Sequence, residues 1–172
     1  YEISACLVGS EMCIRDRFWY APLTGAAAKP MLLAKGRVSN PIWSPDGSSL
    51  LFLREVQANV LLSELHEVLP ETGIEQRVAP TSQFAAFGSN SDGSVFVGAS
   101  RSKAQPNIVL LLRAVRRELT LCEHRASHPA SASPVFSPDN RRVYFQSDHQ
   151  GKCALYSVNV ELLVEPTRAN ST

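Results

Sequence analysis

Two histidines and three arginines carry the chemistry open to this sequence. His124 and His128 stand four residues apart in "LCEHRASHPAS". Imidazole serves either as a general base or as a ligand for a divalent metal. On a helix, four-residue spacing would set both rings on one face, as metalloprotease helices use it. This stretch reads instead as a strand end running into a Ser/Ala/Pro loop. Two readings of His124 and His128 therefore stand, a shared metal site or ordinary loop histidines. Arg113, Arg116 and Arg117 flank an inter-strand turn in "LLRAVRREL", and Arg125 follows His124. A guanidinium pairs with a carboxylate in two-point contacts, which makes Arg113, Arg116 and Arg125 candidates for binding an acidic ligand. The plainer reading is turn charge balanced by Glu118 and Glu123. His66 in "SELHEV" alternates with Leu65 and is expected on the solvent side of a strand; His149 in "SDHQGK" is expected in a solvated turn. No Gly-x-Ser-x-Gly elbow, phosphate loop or paired-cysteine ligand set competes with these groups. The pattern assigns no catalytic residue.

The elements that must position these groups repeat. "WSPDGSSLLFL" carries Asp46, "SNSDGSVFVGAS" carries Asp92 and "FSPDNRRVYFQSD" carries Asp139, at intervals of 46 and 47 residues. Asp-Gly and Asp-Asn favour tight turns because the second residue tolerates positive φ, as two-residue hairpins require. A strand-like run follows each turn, and after a polar break comes another: "NVLLSEL", "NIVLLL" and "ALYSVNV". A mid-forties period with about four strands per unit is the signature of propeller blades. Helical periodicity of any length is missing. The expected class is all-β.

Composition narrows the partners. The chain has 172 residues, with 17 basic against 16 acidic and no lysine-rich block. That removes the electrostatic footprint of a nucleic-acid or membrane-surface binder. The longest apolar run, "IVLLL" at 108–112, suits one buried strand and is far short of the roughly 18 residues of a membrane span. Cys122 and Cys153 sit in strand-like stretches without zinc-site or disulfide spacing. Both are expected to be buried structural thiols.

The first seventeen residues stand apart. "CLVGSEMCIRDR", residues 6–17, resembles a peptide produced when adapter or primer sequence is translated onto an open reading frame. Residues 1–17 are accordingly expected to be a non-native segment and are set aside from fold reasoning. A partial propeller domain is expected over 18–165, with a tail over 166–172. The chain begins without methionine and shows no signal-peptide order, so the true N-terminus is expected to be missing.

"SNPIWSPDGSSLLFL" and "ASPVFSPDNRRVYFQSDHQGKCALYSVNV" resemble TolB-like propeller repeats: Pro, an aromatic, Ser-Pro-Asp-Gly, a strand, Ser-Asp, Gly, then an aromatic-bearing strand. The likeness covers Phe18 to Val160, with a degenerate middle repeat. Counting from it gives an incomplete β-propeller of about three and a half four-stranded blades, with upstream blades of the same protein missing. A narrower likeness runs through "SLLFLREVQANVLLSELHEVLPETGIEQRVAPTSQFAAF" and "RRELTLCEHRASHPASASPVFSPDNRRVYFQSD", which is similar to the oligogalacturonate lyase family. That resemblance implies a divalent metal such as manganese and β-elimination on short pectin-derived uronate oligosaccharides. It also implies a cytoplasmic location, where TolB-like accessory propellers would be periplasmic. The family carries Gln-x-x-His-Pro-His before the Phe-x-Pro strand. Here His128 falls at the Gln position, with Ser131 and Ser133 at the two histidines, and serine is a poor ligand for a transition metal. The alternative function is a non-catalytic TolB-like propeller that binds a protein or a sugar.

Overall fold

The computed structural model describes residues 2–4, 18–21, 25, 27–31, 33–34, 36–56, 59–81, 83–161 and 163. Among them the regular structure is strand throughout, apart from one 3-10 turn at Pro129–Ala132. No helix among them is long and apolar enough to cross a membrane. The strands form four antiparallel sheets. The first joins β1 (Glu2–Ser4), β2 (Trp19–Ala21) and β3 (Lys29–Pro30). The second runs β4 (Val38–Trp43), β5 (Leu50–Val56), β6 (Asn59–Val68) and β7 (Glu75–Pro80). The third runs β8 (Phe84–Ser89), β9 (Val95–Ser100), β10 (Asn107–Leu112) and β11 (Arg117–Glu123). The fourth joins β12 (Val135–Phe136), β13 (Arg142–Ser147) and β14 (Ala154–Asn159). Residues 6–17 and 166–172, singled out in the sequence, lie outside the described residues. Glu2–Ser4 pairs with β2 although it precedes the adapter-like stretch.

The three aspartate turns are one device used three times. Asp46, Asp92 and Asp139 connect β4 to β5, β8 to β9 and β12 to β13. Gly47, Gly93 and Asn140 follow them at φ 71°, 71° and 59°, the left-handed region the sequence reserved for these positions. In each turn the residue two before the aspartate closes the hairpin from its backbone N–H: Ser44 to Ser49 O, Asn90 to Val95 O and Ser137 to Arg142 O. Each aspartate accepts from a backbone N–H two residues on, at Ser48, Ser94 and Arg141. The Ser44 and Ser137 hydroxyls also donate to Asp46 and Asp139, at 2.6 and 2.5 Å. The last strand pair before the first turn, Trp43 with Leu50, encloses residues 44–49. These are side-chain-stapled loops longer than a two-residue hairpin.

The chain divides into two compact units, Tyr1–Ser82 and Gln83–Thr172. In the first, Leu50, Phe52 and Val68 of the second sheet pack with Met31 and Val38, and Phe18 meets Phe52 edge-on at 5.5 Å. In the second, Val95, Val97, Ala99, Ile108 and Leu110 pack against Ala132, Val143, Phe145 and Val160. Each fully buried side chain of this size contributes about 1.5–3 kcal/mol, so the sheets are held by what they bury between them.

Candidate functional site

The connection from β11 to β12 carries the histidines. His124 begins it, its backbone N–H bound to Pro106 O at 2.7 Å, and its ring is 1% exposed. The Ala126 N–H donates to Nδ1 at 3.0 Å, so Nδ1 is the unprotonated nitrogen. Nε2 then carries the proton and donates to Ser100 O at 2.9 Å. Both ring nitrogens are spent on backbone. Arg125 follows at φ 49° with its guanidinium exposed, its Nε 2.6 Å from Glu123 Oε2. Ser127 anchors the loop, its N–H and hydroxyl donating to Asp148 Oδ1 and Oδ2 at 2.8 and 2.5 Å. Those two bonds hold the Asp148 carboxyl below the usual carboxylate range.

His128 is exposed and caps the 3-10 turn through its backbone, where its carbonyl accepts from the Ser131 N–H and hydroxyl. Ser133, at φ 41°, donates its hydroxyl to Ala130 O at 3.2 Å. The two serines standing where the lyase pattern has histidines therefore bond to their own loop. Among the described residues no three His, Cys, Asp or Glu side chains come together as a metal-binding group. A transition metal does not fit this donor set, because binding at His124 would first have to displace Ala126 or Ser100.

The arginine candidates are split between the two ends of the third sheet. Arg113 and Arg116 occupy the turn between β10 and β11, with Arg113 N–H bonded to Ser94 O and Arg116 at φ 51°. Arg125 lies beyond the far end of β11. Seven strand residues, Arg117–Glu123, separate them, about 20 Å at the rise of a β-strand. Arg113 and Arg116 therefore do not share a site with Arg125, His124 and His128.

His66 departs from the sequence expectation. It is 9% exposed rather than facing solvent: Leu65 beside it is buried too, so this inner strand is covered on both faces and alternation does not separate core from water. Its ring lies 5.7 Å from that of Phe52, and its Nε2 is 3.3 Å from Glu64 Oε2. Nδ1 lies 2.8 Å from Glu75 Oε1, a close contact that is not aligned as a hydrogen bond. Arg54 donates to Glu75 from Nε at 3.0 Å and Nη2 at 2.7 Å, and from Nη1 to Ala34 O at 2.9 Å. Glu75 in turn accepts from the Ala34 N–H at 3.1 Å. Burial pushes the Glu75 carboxyl upward, but the Ala34 and Arg54 hydrogen bonds and the Arg54 and His66 charges prevail and hold it low. This network clamps the chain between β3 and β4 onto the second sheet. Its only sequence signal is a set of charges at alternate strand positions.

The thiols divide. Cys122 is half-buried and burial pushes its thiol up, while Cys153 is exposed, 3.5 Å from Gln146 Oε1, which corrects the expectation of two buried thiols. His149 lies in an exposed turn, 3.1 Å from Ser147 Oγ and 5.1 Å from the Tyr156 ring.

No family model matches the sequence. An oligogalacturonide lyase of Pectobacterium atrosepticum is 24% identical over 92% of this chain and 46% of its own length. An oligogalacturonate lyase solved in complex with manganese superimposes with a TM-score of 0.75 at 24% identity, over 90% of this chain and 44% of that one. TolB from Acinetobacter baumannii superimposes with a TM-score of 0.68 at 16% identity, over 84% of this chain and 35% of its own. The fold is an incomplete TolB-like β-propeller. Its sequence is similar to that of an oligogalacturonide lyase, and the chain spans less than half the length of the lyases it matches.

Proposed function

We propose that this propeller segment belongs to a lyase that cleaves pectin-derived oligogalacturonides by β-elimination. The observation that carries the reading is the likeness to oligogalacturonide lyase across 92% of the chain. Elimination beside a uronate carboxylate needs a base for the α-proton and positive charge for the carboxylate. At the β11–β12 connection the exposed Arg125 guanidinium would bind that carboxylate, and the exposed His128 imidazole stands three residues along the same loop. His124 would act as a positioning residue, holding the loop through Ser100 and Ala126. Arg113 and Arg116 would serve an acidic ligand only at the other end of the sheet. The metal reported with the related lyase would need ligands from outside the described residues, on the remaining blades.

A second reading is favoured by the loop itself. The hydroxyls of Ser131 and Ser133 and both nitrogens of His124 already bond to backbone. A propeller with that loop would bind a sugar or a protein without chemistry. The test is release of unsaturated uronate from trigalacturonate by the whole protein, followed by its ultraviolet absorbance with and without a chelator. Turnover lost on Arg125→Ala, by about tenfold or more in kcat/KM, supports the lyase reading. A folded whole protein that gives no product with added manganese favours the binding module.

A further inference from the structure

A cleft of about 600 Å³ opens beside the second sheet, at the end bearing the Asp46 turn and the turn from β6 to β7. That volume lies within the ~300–1,000 Å³ of small-molecule sites. Six of its lining residues carry the chemistry: Tyr20, Lys29, Trp43, Ser48, Glu71 and Thr72. Tyr20 and Trp43 are half-buried and packed on the Leu50, Phe52 and Val68 core, which fixes them as platforms. Lys29 pairs with Tyr20 across β2 and β3 and is exposed.

The polar groups are complementary to a polyol. Ser48 donates its hydroxyl proton to Asp46 Oδ2 at 2.8 Å, which leaves its oxygen to accept. Thr72 Oγ1 accepts from the Ile74 N–H at 3.3 Å, which leaves its proton to donate. Glu71 accepts only. Flat aromatic faces suit the C–H faces of a pyranose ring, alternating donors and acceptors suit its hydroxyls, and one exposed ammonium suits one carboxylate.

We propose that this cleft is a saccharide-binding site for a short uronic-acid oligosaccharide. One sugar carboxylate meets Lys29, and its rings lie against Trp43 and Tyr20. Glu71 restricts the charge accepted, because a second carboxylate beside it would be repelled. The site is lined by residues of the first unit alone, none of them from the β11–β12 loop, and holds its ligand without chemistry. It does not depend on the lyase reading, and turnover does not enter its test.

The chain has two tryptophans, so Trp19→Phe leaves Trp43 as the sole reporter. The fluorescence of that protein is titrated with trigalacturonate and, separately, with the uncharged trisaccharide maltotriose. Saturable quenching by trigalacturonate is expected, with weaker or no response to maltotriose. Adding Lys29→Ala should weaken trigalacturonate binding by about fivefold, and Glu71→Gln should strengthen it. Absence of saturable quenching by either sugar overturns the site. Equal binding of both sugars, or binding indifferent to Lys29→Ala, overturns the assignment of an acidic ligand.

Discussion

The second and third sheets share a frame and differ in what they carry on it. Both have a register shift in the β6–β7 and β10–β11 pairings, between Leu65 and His66 in one and between Ile108 and Val109 in the other. Both end the fourth strand on an equivalent bond, Thr81 N–H to Ser63 O and His124 N–H to Pro106 O. Yet Arg54, His66 and Arg77 of the second sheet stand where the third has Ser100, Val109 and Thr120. One face is a charged clamp and its counterpart is not. Repetition fixes where a side chain is placed, and the residue type decides whether that place becomes core, clamp or cap.

The comparison breaks most visibly at the clamp. Glu75→Ala should destabilise the chain by about 4 kcal/mol, because it leaves the Arg54 charge and the Ala34 N–H without their acceptor; urea denaturation measures this. A loss below about 1 kcal/mol would show that the clamp is ornamental. Next comes Gly98→Ala, in the third sheet at the position that Phe52 fills in the second. A Cβ there would meet the buried Phe84 ring at 2.3 Å, so overpacking should cost about 3 kcal/mol. If Gly98→Ala is neutral, the two positions are not equivalent in packing.

The caps give a smaller contrast. His124→Ala should cost about 2 kcal/mol, since it strands the Ala126 N–H, and Thr81→Val about 1 kcal/mol. If His124→Ala instead leaves stability unchanged while abolishing the uronate release proposed for the whole protein, the ring acts on the substrate and not on the loop. The smallest effect is acid sensitivity at the turns. Hydrogen bonds from Ser44 and Ser48 hold Asp46 at about 2, against roughly 4 for an unfolded aspartate. Its stabilisation is therefore complete above about pH 4 and lost as pH falls toward 2. Asp46→Asn should flatten thermal stability over that window, and an unchanged acid profile would remove the turn carboxylate from the balance.

Much of the frame is legible in the sequence because it depends on local chemistry. Asp-Gly and Asp-Asn specify a left-handed residue within one turn, and Gly47, Gly93 and Asn140 adopt it wherever they sit. The 46- and 47-residue spacing then sets the repeat, the all-β class and the strands that follow each turn. The candidate site was less legible. A histidine four residues from another looks the same in the sequence whether its ring faces a ligand or a carbonyl. Only the tertiary structure turned His124 inward onto Ser100 O and left His128 exposed. It also set Arg113 and Arg116 at the opposite end of a strand from Arg125, and it buried His66 beside Glu64 and Glu75. Turn geometry is fixed by neighbours in the chain, whereas burial and hydrogen-bond partners are fixed by segments distant in the chain, such as Ala34 against Glu75.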